Sequence, residues 1–244
     1  MSGDVWDEQV AREYDRTSAS MYAADVLDPA VDFLARRAAG DPALEFAIGT
    51  GRVALPLHAR GVPVTGIDLS APMLARLRDK PGGAEIPVVV GDMATTRVPG
   101  EFGLVYLVYN TITNLLEQDE QVACFRNAAR HLAPGGRFVV EVFVPELRRL
   151  PSGEVARPFS VGEHHVGFDT YDVAAQRLVS HHYLIGDGAA RVVRSRHRYV
   201  WPAELDLMAR LAGLDLRERW ADWAETPFTA ESRAHVSVWQ KPAG

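Results

Sequence analysis

The chain has 244 residues, 47% of them hydrophobic and 24% charged, with a net charge of −6 at neutral pH. This is the make-up of a soluble globular protein able to bury one large core. No apolar run approaches the roughly 20 residues that cross a bilayer, and the acidic balance disfavours a phosphate backbone as partner.

Residues 1–10 carry neither the basic start nor the apolar stretch of a secretory signal, which makes a cytoplasmic location the default expectation. Residues 4–26 are polar, with Trp6, Tyr14, Met21 and Tyr22 interspersed, and residues 1–27 read as an N-terminal lid. Asp28-Pro29, an apolar stripe over 30–39 and then Gly40 predict the first firm helix, with an N-cap acid, proline in the first turn and glycine at the stop. From residue 43, strand-like and helix-like segments alternate: 43–48, 52–60, 62–68, 71–79, 86–90, 102–109, 118–132 and 137–143. Residues 62–67 and 87–90 are nearly all apolar, which suits strands buried on both faces. Alternation of this kind means a parallel sheet with right-handed crossovers. Ser70 is placed to cap a helix that carries Pro72 in its first turn. The only cysteine, Cys124, lies in an apolar-periodic segment and reads as a small core residue, so neither an internal disulfide nor a thiolate metal cluster is possible.

After residue 145 the pattern changes. Strand-like stretches around 158–168, 177–185 and 190–199 are separated by turn-rich segments at 169–176 and Gly186-Asp187-Gly188, which predicts an antiparallel insertion. A helix over 202–212, stopped by Gly213, and two strands over 214–221 and 235–240 complete the chain.

The chemistry-bearing series begins at Glu45-Phe46-Ala47-Ile48-Gly49-Thr50-Gly51, where a strand turns into a helix. Glycines there permit close backbone approach, and the helix N-terminus adds N–H donors. The next strand ends in Gly66-Ile67-Asp68, so an acid stands about 20 residues after the glycine loop, placed to accept both hydrogen bonds of a ribose diol. The third strand ends similarly in Gly91-Asp92-Met93. Together these strand ends outline a nucleoside pocket.

On these residues, and on Leu132-Ala133-Pro134-Gly135-Gly136 before the fifth strand, the chain resembles class I S-adenosylmethionine-dependent methyltransferases. The likeness is to the small-molecule enzymes of bacterial secondary metabolism such as the amino-sugar N-methyltransferases, and it covers roughly residues 14–241. The resemblance implies an α/β fold with a Rossmann-like, seven-stranded, mostly parallel sheet, helices on both faces and an antiparallel β insertion after the fifth strand. The main domain would comprise 28–147 and 201–244, and the insertion, 148–200, would contribute to the acceptor pocket. It further implies S-adenosylmethionine as cofactor and S-adenosylhomocysteine as product. Glu45 and the backbone of Ala47, Gly49 and Gly51 would line the methionine end and Asp68 would hold the ribose. Asp92 would accept from the adenine amino group, Met93 would donate to the ring, and Leu69 and Met73 would pack near it. Tyr109 and Asn110 would face the reacting methyl. Where many members have glycine this chain has Ala47, which tolerates positive φ poorly and predicts weaker or shifted cofactor binding.

Methyl transfer from a sulfonium is an in-line displacement that alignment and water exclusion can largely drive. An amine acceptor needs only to arrive deprotonated, whereas a hydroxyl profits from a base. Candidates for such roles are Tyr14, Tyr109, His165 and His181. Tyr14 and Tyr22 are placed to close over the sulfonium, with anchoring of the first helix as the alternative. Five of the eight histidines fall in the insertion. A turn centred near 172–174 sets His165 opposite His181 and His164 opposite His182, either as part of the acceptor pocket or as solvent-facing pairs. A metal site is not expected, because adjacent histidines on a strand point to opposite faces. Trp201, Trp220, Trp223 and Trp239 suit core or pocket-wall roles, and Arg148, Arg149 and Arg157 either meet an anionic acceptor or form a solvated face.

The expected partner is therefore a small-molecule acceptor, with no nucleic acid and no membrane, for a monomer or homodimer. A nicotinamide-dependent oxidoreductase shares the glycine loop and the acid after the second strand, but no Tyr-x-x-x-Lys pair exists in this sequence. A non-catalytic protein that binds S-adenosylmethionine or S-adenosylhomocysteine remains the alternative from another class.

Overall fold

The computed structural model describes residues 8–186 and 189–243. Trp6 and the rest of 1–7, together with the Asp187-Gly188 turn, lie outside the described residues. Helix α1 (Glu8–Thr17) and a short 3-10 turn lead into α2 (Ala24–Ala38), followed by β1 (Ala43–Phe46), α3 (Ala54–Ala59), β2 (Val64–Asp68), α4 (Ala71–Arg78), β3 (Val88–Val90), β4 (Phe102–Leu107), α5 (Gln118–His131) and β5 (Leu132–Phe143). The insertion contains β6 (Ala156–Val161), β7 (His165–Asp172), β8 (Arg177–Gly186) and β9 (Ala189–Arg198). The chain closes with α6 (Pro202–Leu211), β10 (Asp215–Trp220) and β11 (Ala234–Gln240).

The main sheet runs β10-β11-β5-β4-β1-β2-β3. It is parallel except that β11 runs antiparallel to both β5 and β10. Strand order reverses between β1 and β4, and the crevice outside their carboxyl ends is where open α/β sheets bind ligands. Residues of β1 and β4 are buried throughout, as their apolar runs require, and alternate β4 side chains serve two cores. Val105 and Leu107 pack with α5 and α6, while Leu104 and Tyr106 pack with α2, α3 and α4. Cys124 is a fully buried core residue. Trp239 is also fully buried, its ring 5.2 Å from Phe125 and 6.3 Å from Phe138. Burying each such phenylalanine contributes roughly 1.5–3 kcal/mol.

Three sequence expectations need correction. The first firm helix starts at Ala24, not at Asp28, and Pro29 lies inside it. Leu27, Val31 and Leu34 form one buried stripe, and burying Leu27 extends the helix a turn upstream. Residues 87–90 do not form a strand buried on both faces, because β3 is the sheet edge and Val90 is 55% exposed. The stretch around 158–168 is two strands, folded back at Gly162-Glu163-His164, with the Gly162 N–H bonded to the His165 carbonyl at 3.0 Å.

The insertion forms a separate four-stranded sheet, β6-β7-β8-β9. Its last strand is tied to the main domain by Arg198, whose guanidinium is buried and donates to Glu204 Oε1 at 2.7 Å and Gln176 Oε1 at 3.2 Å, and also to Gln121. Among the described residues, no helix is long and apolar enough to cross a membrane. Arg198→Ala leaves Glu204 without its buried cation, so urea unfolding should show a loss of roughly 3–5 kcal/mol. A loss below 1 kcal/mol would mean the network does not hold the insertion in place.

Candidate active site

The glycine loop leaves β1 in a left-handed turn. Ala47 has φ 53° and Gly49 φ 58°, which turns the Gly49 N–H toward the end of β2, where Asp68 Oδ2 accepts it at 2.7 Å. Asp68 Oδ1 accepts the Ser70 N–H at 2.8 Å, and Ser70 in turn caps α4 by accepting from the Met73 N–H at 3.2 Å, as its position predicts. A carboxylate offers about four acceptor positions. Asp68 uses two on the backbone and lines the cavity with the rest. Burial pushes its carboxyl above the ordinary range.

That cleft is open to solvent and offers about 540 Å³ of empty space, bounded by Tyr14, Gly49, Asp68, Met73, Met93 and Asn114 among others. A second, of about 360 Å³, adjoins it and includes Glu45, Arg52, Val108 and Tyr109. Tyr14, Ala47, Gly49 and Thr111 belong to both, so the two form one trough across the crevice. Its size suits a nucleoside-bearing ligand.

At the inner end, Glu45 is buried and accepts the Tyr106 hydroxyl proton at 2.8 Å. Burial pushes its carboxyl up to about 8, against the opposing effects of Tyr106 and Arg52. It is therefore largely neutral at pH 7 until a cation approaches. Arg52 lies 5.4 Å from the Tyr109 ring centroid. An acid and a free-ended guanidinium in one recess fit the ammonium and carboxylate of an amino-acid moiety.

Tyr109 and Asn110 both occupy the left-handed region, with φ 57° and 61°, a conformation that costs about 1–2 kcal/mol for each non-glycine residue. Neighbouring groups hold them there. Glu141 accepts the Tyr109 N–H at 2.8 Å through Oε2 and the Trp223 indole N–H at 2.8 Å through Oε1. Asn110 Oδ1 accepts the Phe143 N–H at 2.7 Å. The Asn110 side chain is thus a clamp on β5 and does not face the cavity.

The other sequence-predicted residues divide cleanly. Leu69, Met73 and Met93 line the larger cavity. Asp92 Oδ1 accepts the Ala94 N–H at 2.7 Å in a tight turn that presents its neighbours Gly91 and Met93 to the cavity. Gly51 is a packing glycine, since a Cβ there would stand 2.3 Å from Leu77 Cδ1. Tyr14 projects from α1 into both cavities, and burial, followed by the nearby Tyr109, raises its phenol above the ordinary value. Tyr22 instead donates to Asp15 at 2.5 Å and meets Thr50 at 3.1 Å. Asp15 also takes the Thr50 hydroxyl at 2.6 Å and pairs with Lys80 at 2.6 Å. Tyr22 therefore fastens the N-terminal segment to the glycine loop.

The histidine register differs from expectation. His165 pairs with Leu184, and His181 with Phe168, because the turn is centred between residues 174 and 175, with Asp172 opposite Arg177, which moves each partner on β8 three residues along. His165 and His181 lie on opposite faces. His165 stacks on His182, centroids 5.2 Å apart, whereas His181 stacks on Phe168 at 4.7 Å. The face with His165 and His182 also carries Asp169, Ser195 and His197. It packs against the 3-10 turn that follows β4, where His197 Nδ1 lies 3.1 Å from Thr113 Oγ1. His181 belongs to the outer face, beside Arg194. Arg149 and Arg157 pair with Glu146, and Arg148 with Glu231. Thr111 and Asn114 belong to the stretch 109–116, which sequence reading places in the pocket wall. Arg52 escaped it, and only its position directly after the glycine loop signalled its place.

A methyltransferase domain model matches residues 43–136, the stretch that supplies most of the trough. The CcbJ methyltransferase from Streptomyces caelestis is 39% identical, with a TM-score of 0.80 over 90% of this chain and 96% of that one. A cypemycin N-terminal methyltransferase from a Streptomyces species is 29% identical over 97% of this chain and 98% of its own. The S-adenosylmethionine-bound amino pentose methyltransferase CalS10 from Micromonospora echinaspora shares the fold, with a TM-score of 0.69 at 23% identity over 96% of this chain and 97% of its own. With a relative of 39% identity spanning nearly the whole fold, and with a trough whose acids and glycine loop suit the cofactor, the chain belongs to the class I S-adenosylmethionine-dependent methyltransferases of the bacterial secondary-metabolism type.

Proposed function

We propose that this enzyme methylates an amine nitrogen of a small molecule or short peptide of secondary metabolism. The observation that carries this reading is the chemistry where the two cavities meet. Tyr14 stands there, with Tyr109 beside it in the smaller cavity, and burial raises the Tyr14 phenol above its ordinary value. Among the described residues no imidazole lines either cavity, and Asp169 and the histidines of the insertion stand outside both. A neutral amine needs no base at that point, whereas a hydroxyl would profit from one. The names of the cypemycin N-terminal enzyme and of the amino pentose enzyme agree with an amine acceptor.

The cofactor supplies an electrophilic methyl on a good leaving group. The chain's own residues bind, orient and exclude water. Asp68 offers its two remaining acceptor positions to the ribose diol, and Glu45 and Arg52 hold the amino-acid end. Leu69, Met73 and Met93 make the apolar bed for adenine, beside the Asp92 turn. Tyr14, on α1, covers the transfer point. The inner face of the insertion forms the acceptor wall, supported by the contact of Arg191 with Glu13 at 3.6 Å. On that wall Asp169, held by Ser180 at 2.7 Å, offers a half-buried carboxylate to a polar group of the acceptor.

Calorimetry with S-adenosylhomocysteine tests the cofactor half. The intact chain should bind, and Asp68→Ala should weaken binding at least about 30-fold, the loss of two charge-assisted hydrogen bonds. No binding by the intact chain would sink the reading.

Glu45 adds a pH dependence. Its carboxyl stands at about 8 in the folded protein, so an ammonium binding beside it must expel the proton. S-adenosylhomocysteine affinity should therefore rise from pH 6 to 8, by up to about tenfold per unit. Titrations in buffers of different ionisation enthalpy should show proton release at pH 7, absent in Glu45→Gln. The ligand-free protein should follow the opposite trend, losing stability as pH rises from the ordinary carboxylate range through about 8, because ionisation is disfavoured in the fold. A flat affinity profile would remove Glu45 from the methionine end.

Ala47→Gly relaxes a left-handed residue and should tighten S-adenosylhomocysteine binding while changing unfolding free energy by less than about 1 kcal/mol. Ala47→Val should cost about 1–2 kcal/mol. Unchanged affinity in the glycine variant would show that the extra methyl does not hold the cofactor off.

A further inference from the structure

His197 stands behind the trough, at the point where the insertion touches the 3-10 turn Thr111–Asn114. The direction of its hydrogen bonds can be worked out. Thr113 is fully buried, and its Oγ1 lies 2.8 Å from the Asn110 carbonyl and 3.1 Å from His197 Nδ1. A carbonyl only accepts, and a hydroxyl has one proton to give. That proton goes to Asn110, so the hydrogen between Thr113 and the ring belongs to His197 Nδ1. Nε2 then keeps its lone pair and accepts from Ser195 Oγ at 2.9 Å. The neutral Nδ1–H tautomer satisfies every group in the chain. Burial, and after it the nearby His182, pushes the ring down to about 4, so this form persists at neutral pH.

The bonds continue to the transfer site. The Asn110 carbonyl also receives the Thr113 backbone N–H at 2.9 Å. It belongs to the left-handed pair Tyr109–Asn110 that sets the Tyr109 ring in the wall shared with Glu45 and Arg52. Glu141 and Phe143 hold this pair from β5. Thr113 holds it from the following turn, and His197 joins the insertion to Thr113.

We propose that His197 is a positioning residue for methyl transfer: by donating its Nδ1–H to Thr113 it fixes the Asn110 turn that presents Tyr109 to the trough, so that the seating of the insertion sets the geometry of the cofactor site. The proposal rests on the trough being the cofactor and acceptor site. It gives the insertion a second task besides forming the acceptor wall. An insertion that shifts with its acceptor carries that shift to Tyr109 along Ser195, His197, Thr113 and Asn110.

The test uses the full chain and S-adenosylhomocysteine as probe. Nitrogen-15 NMR of the imidazoles at pH 7 should show His197 as the Nδ1–H tautomer. His197→Leu fills a similar space with no donor, whereas His197→Asn can place an amide N–H where Nδ1 stands. The leucine variant should bind S-adenosylhomocysteine about 5- to 20-fold more weakly, as expected for a buried acceptor left unpaired. The asparagine variant should stay within about threefold of the parent. If His197→Leu does not fold, Thr113→Val and Thr113→Ser make the same comparison from the other partner, with loss in valine and rescue in serine. An Nε2–H or doubly protonated ring at pH 7, or equal affinities across the pair of variants, overturns the proposal. Absence of binding by the parent chain, with the Nδ1–H tautomer present, instead overturns the reading of the trough.

Discussion

The site depends on one carboxylate. Asp68 ends β2 and draws together the Gly49 N–H from the loop after β1 and the Ser70 N–H at the start of α4. These bonds set the depth of the glycine loop and the first turn of a helix against two adjacent parallel strands. Asp68 also lines the larger cavity, and a carboxylate that accepts two backbone bonds keeps further acceptor capacity. The group that organises the glycine loop is thus the one proposed to take the ribose. Burial raises its carboxyl, the sign of an anion held partly out of water and in want of further donors.

Around that anchor the backbone is held in costly conformations. Ala47, Tyr109 and Asn110 all have positive φ without being glycine, and they stand at the carboxyl ends of β1 and β4, either side of the reversal in strand order. Strain persists only where the surroundings over-determine it. Here the surroundings are specific: Glu141 and Phe143 on β5, Thr113 on the following turn, and Asp68 across the loop. The transfer wall is preorganised by these contacts, which suits a reaction that is accelerated mainly by alignment.

One face of the insertion sheet meets the turn that follows β4 through His197. On β9, residues 193, 195 and 197 are half-buried while 192, 194 and 196 are exposed, the period-two pattern of a strand with one covered face. The buried Arg198 network fixes its base. Under the proposed function, this arrangement would let the inner face vary with the acceptor while the cofactor end is left alone, a division that loops on a fixed scaffold commonly provide.

The alternation of strands and helices, the parallel sheet, the capping of α4 by Ser70 and the acid at the end of β2 were all legible in the chain, because each follows from local periodicity or from a residue's place at a strand end. Met73, Met93 and Leu69 in the cavity wall followed from the family resemblance, and Tyr14 from its place as an aromatic on the N-terminal segment. Other features were set by contacts distant in sequence. The start of α2 depended on a buried stripe beginning at Leu27. The exposure of Val90 depended on β3 being an edge. The separation of His165 from His181 depended on a register that a shift of the turn alters at every pair. Gly51, Tyr22 and Asn110 look like ligand residues by position, yet Leu77, Asp15 and Phe143, which they meet in space, give them packing and clamping roles. The sequence by itself thus determined the alternating fold, since apolar period is written locally, and named the cofactor through the family resemblance carried by its glycine loop and strand-end acids. Only the tertiary structure decided which side chains share the trough and which histidine stands behind it, because those choices depend on how separate strands and an inserted sheet meet.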